Sequence, residues 1–150
     1  MPGTYSHLVF HIVFSTKGRE PHISLEVADR LYPFIGGIVR HERGVLLAIG
    51  GVEDHIHLLI SWRPDGDISG LMRNIKSRSS AWIHETFPAL RHFSWQEGYS
   101  VFGVSSSMQA TVDRYIRNQA EHHKTVDFRS ELIELLKRHG IEYKPEYVFD

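Results

Sequence analysis

The stretch that decides the fold is VEDHIHLLISW, residues 52–62. Successive side chains of a β-strand point to opposite faces of the sheet, so this stretch divides into an apolar face and a histidine face. The apolar face carries Ile56, Leu58, Ile60 and Trp62, and the other face carries His55, His57, Leu59 and Ser61. We expect the apolar face to pack into a core. The histidine face requires a separate explanation.

A second stretch, YSHLVFHIVF at residues 5–14, alternates in the same way. One face carries Leu8, Phe10, Ile12 and Phe14, and the other carries Tyr5, His7, Val9, His11 and Val13. Two such strands predict a sheet with one buried apolar face and one face that presents histidines.

The rest of the chain supplies helices and two more strands. Four helices are expected. The first runs from the Ser24 cap to about residue 43, and the second begins after the Asp67 cap. The third runs from a capping box of Ser106 and Gln109 to about residue 123, and the fourth covers roughly 128–139. Strands are expected over 44–52 and 99–105. This order predicts an α+β fold, a ferredoxin-like (RRM-like) β-α-β-β-α-β antiparallel sheet with helices on one face plus C-terminal helices. The histidine face would then be open to a ligand or partner.

The composition narrows the class of protein. A chain of 150 residues fits a single domain over 1–150, and the absence of cysteine excludes disulfides, thiolate zinc sites and cysteine nucleophiles and suits a cytoplasmic protein. No apolar run is long enough to span a bilayer, so we expect no membrane association. The net charge of −1 argues against indiscriminate nucleic-acid binding but permits a local basic groove.

The paired histidines of the strand predict a metal site. Residues at i and i+2 of a strand lie about 7 Å apart at the backbone, close enough to share a cation. In the predicted helix DRYIRNQAEHH, Tyr115 and Gln119 share one face, so Gln119 could supply a further ligand. His122 or His123 would serve equally by spacing, and ordinary packing would account for each pattern taken alone.

Together the two patterns resemble a known family. The HIH of VEDHIH resembles the histidine-hydrophobe-histidine (HUH) motif, and YIRNQ resembles the Tyr-x-x-x-Gln motif of the same proteins. Over nearly its whole length the chain is similar to the single-tyrosine HUH transposases of small insertion sequences, which are related to the REP-associated tyrosine transposases.

The resemblance implies a function. The chain would be a DNA transposase that cleaves and rejoins single-stranded DNA at insertion-sequence ends through a 5′-phosphotyrosine intermediate. Tyr115 would be the nucleophile, and His55, His57 and Gln119 would hold a divalent metal, Mg²⁺ or Mn²⁺. Its partners would be DNA hairpins at the element ends and a second copy of the chain, the tyrosine helix of each protomer completing the histidine site of the other.

Five basic residues are candidates for contacts with the DNA backbone. The candidates for phosphate contacts are Lys17, Arg19, Arg73, Lys76 and Arg78.

A non-catalytic single-stranded RNA- or DNA-binding module shares the β-α-β-β-α-β plan. Such modules stack bases on sheet aromatics, however, and here only Tyr5 of the first strand is aromatic on that face. A metal-dependent hydrolase with water as nucleophile would leave Tyr115 without a role.

Overall fold

A four-stranded antiparallel sheet organises the computed structural model, which describes residues 3–149. The strands are β1 (Val9–Ser15), β2 (Val45–Val52), β3 (His55–Ser61) and β4 (Ser100–Val104), and the helices are α1 (Leu25–His41), α2 (Ile68–Thr86), α3 (Gln109–Arg117), α4 (Gln119–His122) and α5 (Phe128–Arg138). The strand order is β2-β3-β1-β4. The predicted fold class is confirmed.

The apolar face of the sheet lies under α1 and α2. Ile12, Phe14, Ile56, Leu58 and Ile60 are fully buried there, with side chains of both helices. The predicted caps are confirmed, because the Ser24 side chain accepts a hydrogen bond from the Val27 amide and Asp67 accepts one from the Gly70 amide. The apolar face of the sheet therefore packs into the core, as the alternation predicts.

The expectation that the histidine face is open is wrong. His55 and His57 have no exposed surface and His11 is 3% exposed, because α3, α4 and α5 lie over this face. Two apolar clusters hold these helices to the sheet: Val13 and Phe102 with Phe128, Leu132, Leu135 and Leu136, and Val9, Ala48, Leu59 and Val104 with Ile116. Burial of the amphipathic C-terminal helices thus encloses the histidines.

The helix expected between Ser106 and His123 is divided in two. The backbone leaves helical geometry at Asn118 (φ −102°, ψ 22°), between α3 and α4. The predicted cap at Ser106 is wrong, since Met108 precedes α3 and makes no side-chain capping bond. Tyr115 therefore lies at the end of α3, whereas Gln119 begins α4.

A glycine allows α3 to approach the sheet. A Cβ atom built at Gly50 of β2 would overlap the carbonyl oxygen of Ile116 in α3. Since a backbone carbonyl cannot turn aside as a flexible side chain does, any larger residue at this position must displace α3. Tyr115 neighbours Ile116, so this displacement would carry Tyr115 with it.

We predict that Gly50→Ala lowers the free energy of unfolding by about 1–3 kcal/mol, as overpacking typically does. The matched control is Gly103→Ala in β4, where a built Cβ meets nothing within 4 Å, and whose effect should stay within about 0.5 kcal/mol. Urea denaturation measures both changes. Equal stability of the two variants would contradict the close packing of α3 on β2.

Candidate active site

The carboxylate of Glu131 lies at the centre of the site. Glu131 belongs to the buried side of α5, so its side chain points toward the sheet and is 3% exposed. Its Oε1 atom lies 3.2 Å from Nε2 of His55, 3.1 Å from Nε2 of His57 and 3.0 Å from Nε2 of His123. Three imidazoles from two segments of the chain therefore converge on one oxygen.

The second carboxylate oxygen joins the tyrosine to the same cluster. Oε2 of Glu131 accepts a short hydrogen bond from the Tyr115 hydroxyl and another, of 3.0 Å, from Nε2 of Gln119. Nε2 of His122 also lies 3.2 Å from Oε2, but without hydrogen-bonding geometry. The residues expected to be nucleophile and metal ligands thus meet at one acidic side chain.

His55 is held in place by a second carboxylate. Its Nδ1 atom is 2.7 Å from Oδ1 of Asp54, and its Nε2 atom is 3.1 Å from Oε1 of Gln119. Burial lowers the pKa of His55, but the hydrogen bonds to Asp54 and Glu131 outweigh it, and the pKa lies above its usual value. Asp54 keeps the Nδ1 proton in place and directs Nε2 toward the centre of the site.

His57 forms a buried chain of hydrogen bonds with His11. The ionised Glu131 can only accept, so Nε2 of His57 donates to it, and Nδ1 of His57 accepts from Nε2 of His11 at 2.8 Å. Burial lowers the pKa of His57 to about 4 and that of His11 to about 3. Both imidazoles are therefore neutral near pH 7, the form in which histidine binds metals.

Glu131 itself is ionised despite its burial. Burial raises the pKa of a carboxyl group, but hydrogen bonds from His123, His55 and His57 outweigh it and hold the pKa of Glu131 well below its usual range. The site therefore combines one buried negative charge with several imidazoles.

Tyr115 is half-buried and protonated. Burial and the hydrogen bond to Glu131 raise the pKa of its hydroxyl well above the ordinary value. Tyr115, His122 and Glu131 line a cavity of about 600 Å³ between β4, α3 and α5. Tyr115 therefore borders a cavity beside the cluster.

A group of donor atoms suited to a metal ion is present. His55, His57, His123 and Glu131 each place one donor atom within 4.8 Å of the others. Imidazole nitrogens and a carboxylate oxygen are common ligands of divalent cations. Gln119 lies beside this group through its contacts with His55 and Glu131.

Among the described residues, the predicted phosphate-binding residues are not hydrogen-bond partners of Glu131. Lys17, Arg19, Arg73 and Arg78 are exposed. Lys76 is half-buried, and its Nζ atom donates hydrogen bonds to three consecutive carbonyl oxygens, those of residues 96–98, at 2.8, 2.9 and 2.6 Å. Burial lowers the pKa of Lys76 to about 8. This lysine therefore connects α2 to the segment before β4.

The sequence interpretation missed Glu131 and Asp54. Glu131 stands three residues after Phe128 and four before Leu135, hence on the apolar stripe of α5. A carboxylate on a buried stripe needs a partner, and that signal was available in the sequence. Asp54 lies within VEDHIH, directly before His55, and the alternation pattern assigns it no role.

Comparison with known proteins identifies the family to which the chain belongs. Residues 4–119 match the profile of the family described as "Transposase IS200 like". The chain therefore belongs to the IS200-like transposase family, whose activity is DNA cleavage and strand transfer. The match ends at Gln119, before α5.

Individual relatives agree with this assignment. The chain is 25% identical to the ISDra2 transposase TnpA of Deinococcus radiodurans over 78% of its own length and 87% of that protein. It is 29% identical to the transposase for insertion sequence element IS200 of Salmonella typhimurium over 77% of this chain and 78% of that protein.

Two solved structures share the fold. One is a protein assigned as a transposase from Deinococcus radiodurans, with a TM-score of 0.66, 29% identity, and coverage of 79% of this chain and 95% of that one. The other is a REP-associated tyrosine transposase bound to a REP hairpin, with a TM-score of 0.62, 15% identity, and coverage of 100% and 91%. Within residues 3–149, no helix is long and apolar enough to cross a membrane.

Proposed function

We propose that this chain is a metal-assisted tyrosine transposase that cleaves and rejoins single-stranded DNA at insertion-sequence ends. The observation that supports this proposal is the meeting of the Tyr115 hydroxyl, Gln119 and the His55–His57 pair around Glu131. A tyrosine beside a metal-binding histidine pair combines a nucleophile with a means of stabilising phosphate charge.

The reaction exchanges one phosphoester for another. The Tyr115 oxygen attacks phosphorus, the bond from phosphorus to the 3′ oxygen breaks, and the proton lost by the phenol ends on the leaving 3′ oxygen. The products are a 5′-phosphotyrosine and a free 3′-hydroxyl. Oε2 of Glu131 already accepts the phenolic proton in a hydrogen bond and so orients the hydroxyl. Rejoining reverses these bonds, and because the phosphotyrosine conserves the phosphodiester energy, no ATP is required.

The residues fit a divalent cation. His55, His57 and Gln119 would hold Mg²⁺ or Mn²⁺, since two neutral imidazoles and an amide oxygen leave positions for phosphate oxygens. A bound cation neutralises charge that develops on the phosphate and orients the leaving oxygen.

The DNA partner follows from the reaction and from the relatives. We propose single-stranded hairpins at the element ends as substrates; one structural relative is bound to a REP hairpin. The exposed Lys17, Arg19, Arg73 and Arg78 would contact phosphates. Lys76 belongs to the same proposal because it lines, with Arg73, a surface cavity of about 460 Å³.

A specific observation disfavours the alternative of a non-catalytic single-strand-binding module. Such modules stack bases on an uncovered sheet face. Here α1 and α2 cover one face, and α3 to α5 enclose the histidines on the other.

We predict that Tyr115→Phe abolishes the covalent protein–DNA adduct while hairpin binding persists, because only the nucleophilic oxygen is removed. The assay incubates the protein with Mn²⁺ and labelled single-stranded DNA from the flanks of its own gene, and adducts are resolved on a denaturing gel. Tyr147→Phe, at an exposed tyrosine, is the control and should form the adduct normally. Adduct at the wild-type rate in Tyr115→Phe would exclude Tyr115 as nucleophile.

A mixing experiment tests which chain supplies the tyrosine. Family resemblance implies a homodimer with the tyrosine helix delivered in trans, yet Tyr115 contacts the cluster of its own chain through Glu131. We therefore predict that mixed Tyr115→Phe and His57→Ala chains stay inactive, since each cis site would carry one lesion. Recovered activity after proven subunit exchange would establish the trans arrangement, in which one composite site is intact.

A further inference from the structure

We propose that the apolar cavity bordered by Tyr115 binds one base of the DNA strand, the base of a nucleotide next to the scissile phosphate. This inference rests on the proposed function, because it takes single-stranded DNA as the substrate. It adds a subsite that holds the strand beside the tyrosine.

The cavity has the size and lining of a site for a flat organic ring. It measures about 600 Å³ and lies between β4, α3 and α5. Its apolar walls are formed by side chains of Val104, Met108, Val112, Val126 and Leu135. Pockets for small ligands typically measure about 300–1,000 Å³ and have apolar walls with few polar groups. The cavity is therefore large enough for a nucleobase and matches its apolar faces.

Tyr115 connects this cavity to a groove on the surface. The groove measures about 660 Å³ and is lined by residues of α3 and α4. Thr111, Tyr115 and His122 line both the cavity and the groove. A strand with its scissile phosphate at the Tyr115 oxygen therefore has both spaces beside that phosphate.

The charges of the groove favour the phosphates of the strand. Arg117 pairs with Asp113 at 2.6 Å. Glu121 pairs with Lys124 at 2.9 Å, so these four charges offset one another. Arg114 also lines the groove and is exposed, and within residues 3–149 its side chain has no ion-pair partner. Since a free guanidinium binds phosphate oxygens well, the backbone of the strand is expected in the groove.

The charges of the cavity favour a neutral group instead. Arg138 on its wall is paired with Glu134 at 3.1 Å. The remaining carboxylate, that of Glu131, is ionised and would repel a phosphate. A neutral base is free of this repulsion, so the base and the backbone separate into the two spaces.

A base held in the cavity would position the reacting phosphate. Enzymes that act on nucleic acids commonly turn a base out of its stack into a pocket, and this unstacking costs least in a single strand. A bound base restricts the sugar and phosphate attached to it, which holds phosphorus near the Tyr115 oxygen. Val112 and Met108 are therefore positioning residues.

Fluorescence of 2-aminopurine locates the bound base. This base analogue is quenched by stacked neighbours and brightens when it is unstacked. The probes are single strands from the flanks of the gene, with 2-aminopurine moved one position at a time, and Tyr115→Phe protein prevents cleavage. We expect one position to brighten about twofold on binding. Adding Val112→Phe, which fills the cavity, should abolish this increase.

The matched control adds Ala110→Phe instead, at an exposed residue of α3 that lines neither space, and should keep the increase. Should circular dichroism show that the Val112→Phe protein is unfolded, Met108→Phe takes its place, because Met108 lines the cavity and is 49% exposed. The absence of any increase that depends on the cavity would overturn the proposal. An increase remote from the bond that wild-type protein cleaves would overturn it as well.

Cleavage kinetics test the positioning role. Wild-type protein should cleave a strand that lacks the identified base with a kcat/KM about tenfold lower than that of the complete strand. Val112→Phe should cleave the two strands at rates within about twofold of each other, because the base no longer enters the cavity. A tenfold difference that persists in Val112→Phe would contradict the base site.

These outcomes are separable from those of the strand-transfer reaction. The fluorescence measurement requires no cleavage, so a cavity-dependent increase without any covalent adduct would refute the proposed reaction alone. Normal adduct formation without such an increase would refute the base site alone.

Discussion

The buried carboxylate of Glu131 is the group on which the arrangement of the C-terminal half depends. An ionised carboxylate out of water costs several kcal/mol unless hydrogen bonds and opposite charge offset it. Here imidazoles from β3 and from the end of α4, the Tyr115 hydroxyl and the Gln119 amide surround it. The partners come from β3, α3 and α4, so satisfying one charge fixes these three elements relative to α5.

This constraint explains why the two faces of one sheet behave so differently. The face under α1 and α2 is held by apolar contacts, which are non-directional and tolerate substitutions of similar volume. The other face has apolar clusters at its margins and a polar network between them. A hydrogen-bond network in a low-dielectric interior fixes the positions of its side chains closely, because a buried polar group without a partner costs much free energy. The largest apolar cluster therefore lies on one face and the candidate active site on the other.

Sequence patterns predicted the elements that depend on local alternation and capping. The strands, the separation of Ile56 from His55 and His57, and the caps Ser24 and Asp67 follow from rules that involve only neighbouring residues. The enclosure of the histidines does not, because the apolar stripe of α5 predicts that this helix is buried without indicating its partner. The helical spacing likewise gives no sign of the break at Asn118, where the backbone leaves helical geometry between α3 and α4. The role of Glu131 can be recognised only when the positions of the imidazoles around it are known.

The most direct test of this account is a crystal structure of the full chain grown with Mn²⁺, with anomalous diffraction used to locate the ion. We expect one anomalous peak per chain, within bonding distance of Nε2 of His55 and Nε2 of His57, with α5 of the same chain packed over the site and Glu131 buried. A peak at the histidine pair with α5 displaced from the sheet and Glu131 in solvent would contradict it.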